Sequence, residues 1–313
     1  MANTVNYAEV WQPELLEVIR QNTLCTPFIT GSVRWLDAKT FHFTQMNVGG
    51  YKNHDRQGGW NRGSFSQVDV PFTVAHDRDI EFLVDKADVD ESNAAASIRN
   101  ISRTFTQTQA SPEMDALFFS KVAAAANAQA GYHSATARAD YTRANVYSKL
   151  KAMISAGKLR RYKAKGALVV YLASELMDLL EQSTDFTRSI DVTRIADGGE
   201  GIETRVTDID GVPVMEVIDD ETFYDAFNFA AAAGGFEPAA GAHKLNAVVA
   251  SPLTVKVVPK ISSIYYFNPG AHTAGDGYLY QNRALSDVFV FPNGKDNKID
   301  SVYADADTAA VTV

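Results

Sequence analysis

Gln67-Val68-Asp69-Val70-Pro71-Phe72-Thr73-Val74-Ala75-His76-Asp77-Arg78-Asp79-Ile80-Glu81-Phe82-Leu83-Val84 keeps its apolar side chains on one parity for longer than an ordinary strand needs. Side chains alternate with period two along extended chain, so Val68, Val70, Phe72, Val74, Ile80, Phe82 and Val84 predict one face of a single strand. Such a strand would reach on the order of 55 Å, too long for a compact small sheet. Upstream, residues 39–48 alternate too, with Phe41 and Phe43 on one face and Thr40, His42 and Thr44 on the other. The two runs predict the arms of a long ribbon. Between them lies Gly49-Gly50-Tyr51-Lys52-Asn53-His54-Asp55-Arg56-Gln57-Gly58-Gly59-Trp60-Asn61-Arg62-Gly63. A tip so rich in glycine is mobile, and a two-stranded ribbon alone is marginal in water. The apolar face calls for a partner, and another chain is the expected one.

The remaining sequence bounds the protein further. Its 313 residues suffice for one large domain or two, and a hydrophobic fraction of 46% supports a proper core. The formal net charge of -9 argues against a protein that grips nucleic acid through phosphates. A single cysteine, Cys25, excludes an intrachain disulfide framework and is expected to be buried as a small apolar residue. No stretch approaches the roughly 20 apolar residues of a transmembrane helix. The N-terminus carries no secretory pattern, so a cleaved leader is not expected.

Along the chain, residues 1–34 read as an arm with a short helix over 13–20. Asp88-Val89-Asp90-Glu91-Ser92-Asn93 supplies capping side chains for a following helix, which Ser111-Pro112-Glu113 interrupts and restarts. One long kinked helix, or two in near succession, is predicted over about residues 91–130. Helices are predicted over 144–156, ended by Gly157, and over 174–182, with a buried strand over 167–172 between them. Asp210-Gly211 predicts a hairpin turn joining 203–207 to 212–218. Residues 230–242 read as a flexible loop, 247–250 and 261–267 as strands, and 287–291 with 301–303 as a last strand pair around Pro292-Asn293-Gly294. Helices and strands mix without a repeat, which favours an α+β fold.

Catalytic chemistry finds no foothold. Gly58-Gly59-Trp60-Asn61-Arg62-Gly63-Ser64 has phosphate-loop glycine spacing, but Ser64 stands where lysine belongs and a strand follows in place of a helix. Asp85, Asp88, Asp90 and Glu91 read as a helix-capping turn, since a calcium loop needs an ordered ligand set with a glycine bend. The six histidines are scattered, and neither a nucleophile elbow nor a Cys-His signature is present. Arg160-Arg161-Tyr162-Lys163-Ala164-Lys165 reads as a solvated loop or an intersubunit salt-bridge patch more readily than as a nucleic-acid contact.

Asp85-Lys86-Ala87-Asp88-Val89-Asp90-Glu91-Ser92-Asn93, then Arg103-Thr104-Phe105-Thr106-Gln107-Thr108-Gln109-Ala110-Ser111-Pro112-Glu113-Met114-Asp115-Ala116 and Phe119-Ser120-Lys121-Val122-Ala123, closely resemble the major capsid proteins of tailed bacteriophages with the HK97 fold. Gly277-Tyr278-Leu279-Tyr280 and Asp287-Val288-Phe289-Val290 are similar to that family's closing strands. The resemblance implies an HK97-like capsid fold: an N-terminal arm (1–34), an extended E-loop (35–85), a P-domain with a spine helix (86–165), an A-domain (166–260) and closing P-domain strands (261–313).

It also implies a structural, non-catalytic protein that needs no cofactor and assembles with itself into hexameric and pentameric capsomers. A separate scaffolding protein, a portal and a decoration protein are the implied partners, with packaged DNA held without specific binding and no membrane. The virion is the implied location, after assembly in the bacterial host cytoplasm. Tyr51, His54, Arg56, Trp60 and Arg62 are the candidate intersubunit contacts at the E-loop tip, and Pro112 the candidate spine-helix kink. Some relatives carry a long N-terminal scaffolding segment or a covalent crosslink from an E-loop lysine. Here residues 1–34 are too short for the first, and Lys52-Asn53 reads as ordinary turn chemistry. The alternative of another class is a soluble α+β enzyme whose active site no motif reveals.

Overall fold

The computed structural model describes residues 23–30, 39–54, 58, 60–91, 98–183, 206–231, 234–273, 275–293 and 298–311. The arm helix expected over 13–20 lies outside them. The chain is mixed α+β, with strands β1 (Thr40–Val48), β2 (Phe65–Thr73), β3 (His76–Asp85), β4 (His133–Ala135), β5 (Val169–Ala173), β6 (Val206–Ile209), β7 (Val212–Val217), β8 (Phe227–Asn228), β9 (Glu237–Pro238), β10 (His243–Ala250), β11 (Val255–Phe267), β12 (Gly277–Val290) and β13 (Val302–Ala310). Its helices are α1 (Lys86–Glu91), α2 (Ile98–Phe105), α3 (Ser111–Asn127), α4 (Val146–Ile154), α5 (Leu159–Ala164) and α6 (Ser174–Glu181).

The main core surrounds a six-stranded sheet in the order β4-β13-β10-β5-β7-β6. β5 is buried at every position, so its continuous Val169-Val170-Tyr171-Leu172-Ala173 run is that of a strand covered on both faces. Against it lies the buried side of α3, where Phe118, Phe119 and Tyr171 meet edge to face, with Phe28 closing the cluster 4.8 Å from Phe118. Asp210 and Gly211 both take positive φ between β6 and β7, as the Asp-Gly dipeptide predicts for a primed hairpin turn. A second sheet, β11-β12-β3, is antiparallel throughout.

The stretch that predicted one long strand is two strands in two sheets. β2 pairs with β1 over nine residues, with Phe41 opposite Phe72 and Val48 opposite Phe65. At Val74 and Ala75 the strand breaks, and β3 joins β12, with Phe82 opposite Tyr280. Backbone bonding explains the division: Val74 N–H donates to the Lys39 carbonyl, the last rung of the ribbon, while Ala75 N–H donates to the Asp287 carboxylate beside the second sheet. Parity nonetheless survives the break, with Phe72, Val74, Ile80, Phe82 and Val84 all less exposed than their odd-numbered neighbours Thr73, Ala75, Asp79, Glu81 and Asp85.

Between α2 and α3 the helical path continues through a π turn, Thr106–Ala110, closed by Ser111 N–H on the Thr106 carbonyl. Pro112 sits in the first turn of α3 and is buried. It has no N–H to give the preceding turn, and its ring would clash with the carbonyl four residues back in a regular α-helix. The wider π turn absorbs that conflict. Thr106 and Thr108 also return hydroxyl bonds of 2.9 and 2.7 Å to the carbonyls of Ser102 and Thr104.

Two further expectations are corrected. The strand pair expected from 287–291 and 301–303 does not form: β12 pairs with β11 and β3, and β13 with β10 and β4. Asp300 and Ser301 at the connection are buried, so side-chain burial outweighs the local turn chemistry of Pro292-Asn293. The basic run at 160–165 belongs to a helix, α5, whose Tyr162 is buried and donates to the Asp300 carboxylate at 2.8 Å. Lys163 binds Asp210 at 2.7 Å and the preceding Lys158 binds Asp300 at 3.5 Å, so both cations have partners in their own chain.

Candidate interaction surfaces

The ribbon β1–β2 is anchored at one end and bare at the other. At its root, Phe41 stacks on Phe72 at 5.6 Å, and Phe289 and Phe291 meet the pair edge to face at 5.0 to 6.2 Å. Val74, Val258 and Leu285 complete this small core. Outside it, Arg283 grips the Asp77 carboxylate with two bonds, at 3.1 and 2.9 Å, and Lys39 approaches at 3.5 Å. The Arg283 hydrogen bonds hold the Asp77 carboxyl below its ordinary range.

Further out the pattern reverses. Met46, Val48 and Phe65 are 61%, 75% and 77% exposed. Val48 pairs with Phe65, and by register these positions lie on the face opposite Phe41 and Phe72. The tip is held as a loop by Gly49 N–H on the Ser64 carbonyl at 2.7 Å, Asn61 Nδ2 on the Asn53 carbonyl at 2.7 Å, and Lys52 Nζ on the Arg62 carbonyl at 3.3 Å. Of the five tip residues singled out by sequence, Tyr51, His54, Trp60 and Arg62 are all exposed, and Arg56 lies outside the described residues. Trp60 is 95% exposed, with the His54 ring 6.2 Å away between centroids.

Three buried or half-buried polar clusters join distant segments of the chain, and sequence reading anticipated none of them. The Asp115 carboxylate accepts the backbone N–H groups of Leu24 and Cys25 and the Thr23 hydroxyl, at 3.0 to 3.1 Å. Burial raises Asp115 to about 6, the three donors pulling the other way. Burial, with Asp115 beside it, also pushes the Cys25 thiol up to about 12, so this cysteine is an inert core residue as expected. Glu113 binds Arg78 Nε at 2.7 Å and His76 Nε2 at 3.0 Å; burial would raise its carboxyl, but the His76 bond and the Arg78 charge hold it low. Arg78 also donates to the carbonyls of Phe229 and Gly235, tying β3, the spine and the 229–235 loop together. In the third cluster, Asp305 accepts hydroxyls from Ser134, Thr136 and Tyr141 and the Asn246 amide.

These carboxylates bind the protein's own donors, so each serves to join segments. Among the described residues no three metal-capable side chains converge. Asp85 accepts the Ala87 N–H at 2.8 Å at the start of α1, but the acidic stretch expected to be a capping turn is itself helical, with Asp88, Asp90 and Glu91 inside α1. A cleft of about 580 Å³ remains between β3, β12 and the spine, beside Glu113.

No family model and no curated protein sequence matches the chain. Solved structures do. The chain is similar to that in the mature capsid of bacteriophage PhiM1, with 15% identity, 96% of this chain and 91% of that one covered, and a TM-score of 0.64. It is similar to the capsid chain of Cyanophage P-SCSP1u, with 12% identity, 96% and 92% covered, and a TM-score of 0.58. It is also similar to the capsid chain of Ralstonia phage GP4, with 11% identity, 100% and 99% covered, and a TM-score of 0.57. The chain therefore has the HK97-like capsid fold, over essentially its whole length.

Proposed function

We propose that this protein is the major capsid protein of a tailed bacteriophage, a structural subunit that assembles with itself into capsomers and an icosahedral head around the phage DNA. The observation that carries the reading is the ribbon: its root is packed in the subunit's own core, whereas Met46, Val48, Phe65 and Trp60 are bare farther out. An anchored lever with apolar side chains on its free end has a use when a neighbouring copy covers them, because a monomer gains nothing from leaving them in water. The capsid structures that share the fold support the same conclusion.

On this reading residues 1–34 form the arm, 35–85 the E-loop, 86–165 the P-domain with its spine, 166–260 the A-domain, and 261–313 the returning strands. A portal, a separate scaffolding protein and a decoration protein are its expected partners, and assembly takes place in the host cytoplasm before the protein becomes part of the virion. Light scattering and electron micrographs of the purified protein test the proposal. Shells, tubes or capsomers are expected; a small, homogeneous oligomer under all assembly conditions would favour the enzyme alternative.

A further inference from the structure

The sheet β11-β12-β3 has two edges, and their sequences differ in kind. β3, at one edge, carries Asp77, Arg78, Asp79, Glu81 and Asp85, charges of the sort that keep an edge from pairing with a foreign strand. β11, at the other, ends in Ile261-Ser262-Ser263-Ile264-Tyr265-Tyr266-Phe267, with neither a charge nor a proline. The base of that edge is occupied: Thr30 N–H donates to the Val257 carbonyl on the side away from β12. Backbone groups alternate in direction along a strand, and the register shift between Pro259 and Ile261 moves the phase by one residue. Ser262, Ile264 and Tyr266 therefore turn their N–H and C=O groups outward. All three are exposed, Ile264 at 62% and Tyr266 at 50%, with Tyr265 between them at 54%. Among the described residues no strand pairs with this part of the edge.

We propose that residues 261–267 of β11 pair antiparallel with the same residues of a second copy across a two-fold axis, joining two sheets edge to edge into one. The inference rests on the shell-forming reading and adds to it a contact made by a sheet edge, separate from the ribbon. The occupant is a second copy because the edge is its own complement. Centred on Ile264, the pairing overlaps the whole uncharged run: Ile261 lies opposite Phe267, Ser262 opposite Tyr266, Ser263 opposite Tyr265, and Ile264 opposite itself. Aliphatic and aromatic pairs of this kind stabilise neighbouring strands, and no like charges meet. Pro259 falls outside the overlap, where its missing N–H costs nothing. Two copies of β3, with carboxylates at alternate positions, would repel instead. An icosahedral shell contains two-fold-related pairs by construction, and a two-fold contact uses one patch twice.

Disulfide formation in assembled particles reads the register. Directly opposed hydrogen-bonded residues lie about 5.5 Å apart at Cα, within disulfide range. Cys25, the chain's own thiol, is buried and does not compete. Oxidised Ile264→Cys particles should yield linked dimers, mapped by mass spectrometry to position 264 of both chains. Ser262→Cys or Tyr266→Cys alone should yield none, and particles assembled from a mixture of the two should yield the mixed dimer. Absence of the Ile264→Cys dimer from formed particles, or an equal yield from Ser262→Cys alone, overturns the proposal. A second measurement needs no crosslink. Ile264→Lys sets like charges against each other at the axis. It should leave the subunit melting temperature unchanged, because the side chain is exposed, and raise the critical concentration for assembly about five-fold. An unchanged critical concentration overturns the proposal, whereas wild-type protein that forms no particles refutes the shell reading on which it rests.

Discussion

The carboxylate of Asp115, midway along the spine, accepts the backbone N–H of Leu24, ninety-one residues earlier in the chain. With Cys25 N–H and the Thr23 hydroxyl on the same carboxylate, and Tyr171 donating to the Leu24 carbonyl at 2.7 Å, residues 23–25 are tied to both α3 and the central sheet.

Removing that carboxylate should be costly. Asp115→Ala leaves two buried backbone donors unpaired and should destabilise the subunit by about 3 kcal/mol, measured by urea unfolding. The pH dependence follows from the raised carboxyl. The folded state holds the Asp115 proton more tightly than the unfolded chain, so this group's contribution is full below the ordinary aspartate range, near 4, and is lost as pH rises to about 6 and beyond. Wild type minus Asp115→Asn should therefore decline in stability between about pH 4 and pH 7. A flat difference would mean the three donors outweigh burial.

Anchorage of the ribbon can be separated from folding of the subunit. Phe41→Ala removes the ring at the centre of the aromatic root and should cost about 3 kcal/mol locally. Hydrogen exchange of the Val74 amide, which donates to Lys39, should accelerate while amides of β5 and β10 stay protected. Equal acceleration everywhere would show the root to be part of the global core.

Contacts at the tip should act only between subunits. Trp60→Ala should change subunit stability by no more than about 0.5 kcal/mol, since the ring is exposed, and weaken assembly by about 2 kcal/mol. Deleting residues 50–63 should leave a soluble folded chain that forms no stable shells. Unchanged tryptophan fluorescence on assembly, or normal shells from the deletion, would remove the ribbon from the role of clasp.

At the π turn, Pro112→Ala restores a backbone donor and relieves the clash with the preceding carbonyl. The subunit should be as stable or more so, the spine straighter, and the assembled products aberrant or flat, as seen in a density map and in micrographs. Normal heads from a variant whose π turn has become regular α-helix would make the turn incidental to assembly.

Affinity for nucleic acid should be low. With a net charge of -9, and with Lys158 and Lys163 engaged by carboxylates, empty shells should bind duplex DNA weakly and with steep salt dependence. Nanomolar binding at physiological salt would return attention to the cations of α5.

Much of this architecture is written in local pattern. Alternation at Phe72, Val74, Ile80, Phe82 and Val84 announces extended chain with one buried face, Asp210-Gly211 announces its turn, and Pro112 marks where the spine must change its hydrogen bonding, because each depends on backbone sterics or periodicity within a few residues. The exposed tip was equally legible, since glycine-rich sequence with isolated aromatics has no core to join. Partner choice was not. Ribbon and sheet divide at Val74 because Ala75 finds a carboxylate at Asp287, 212 residues away, and β12 and β13 part because each is buried by a different layer. The Asp115 clamp and the Arg78 junction come from residues that are unremarkable in sequence. Their meaning depends on which donors surround them once water is excluded, and long-range packing alone decides that.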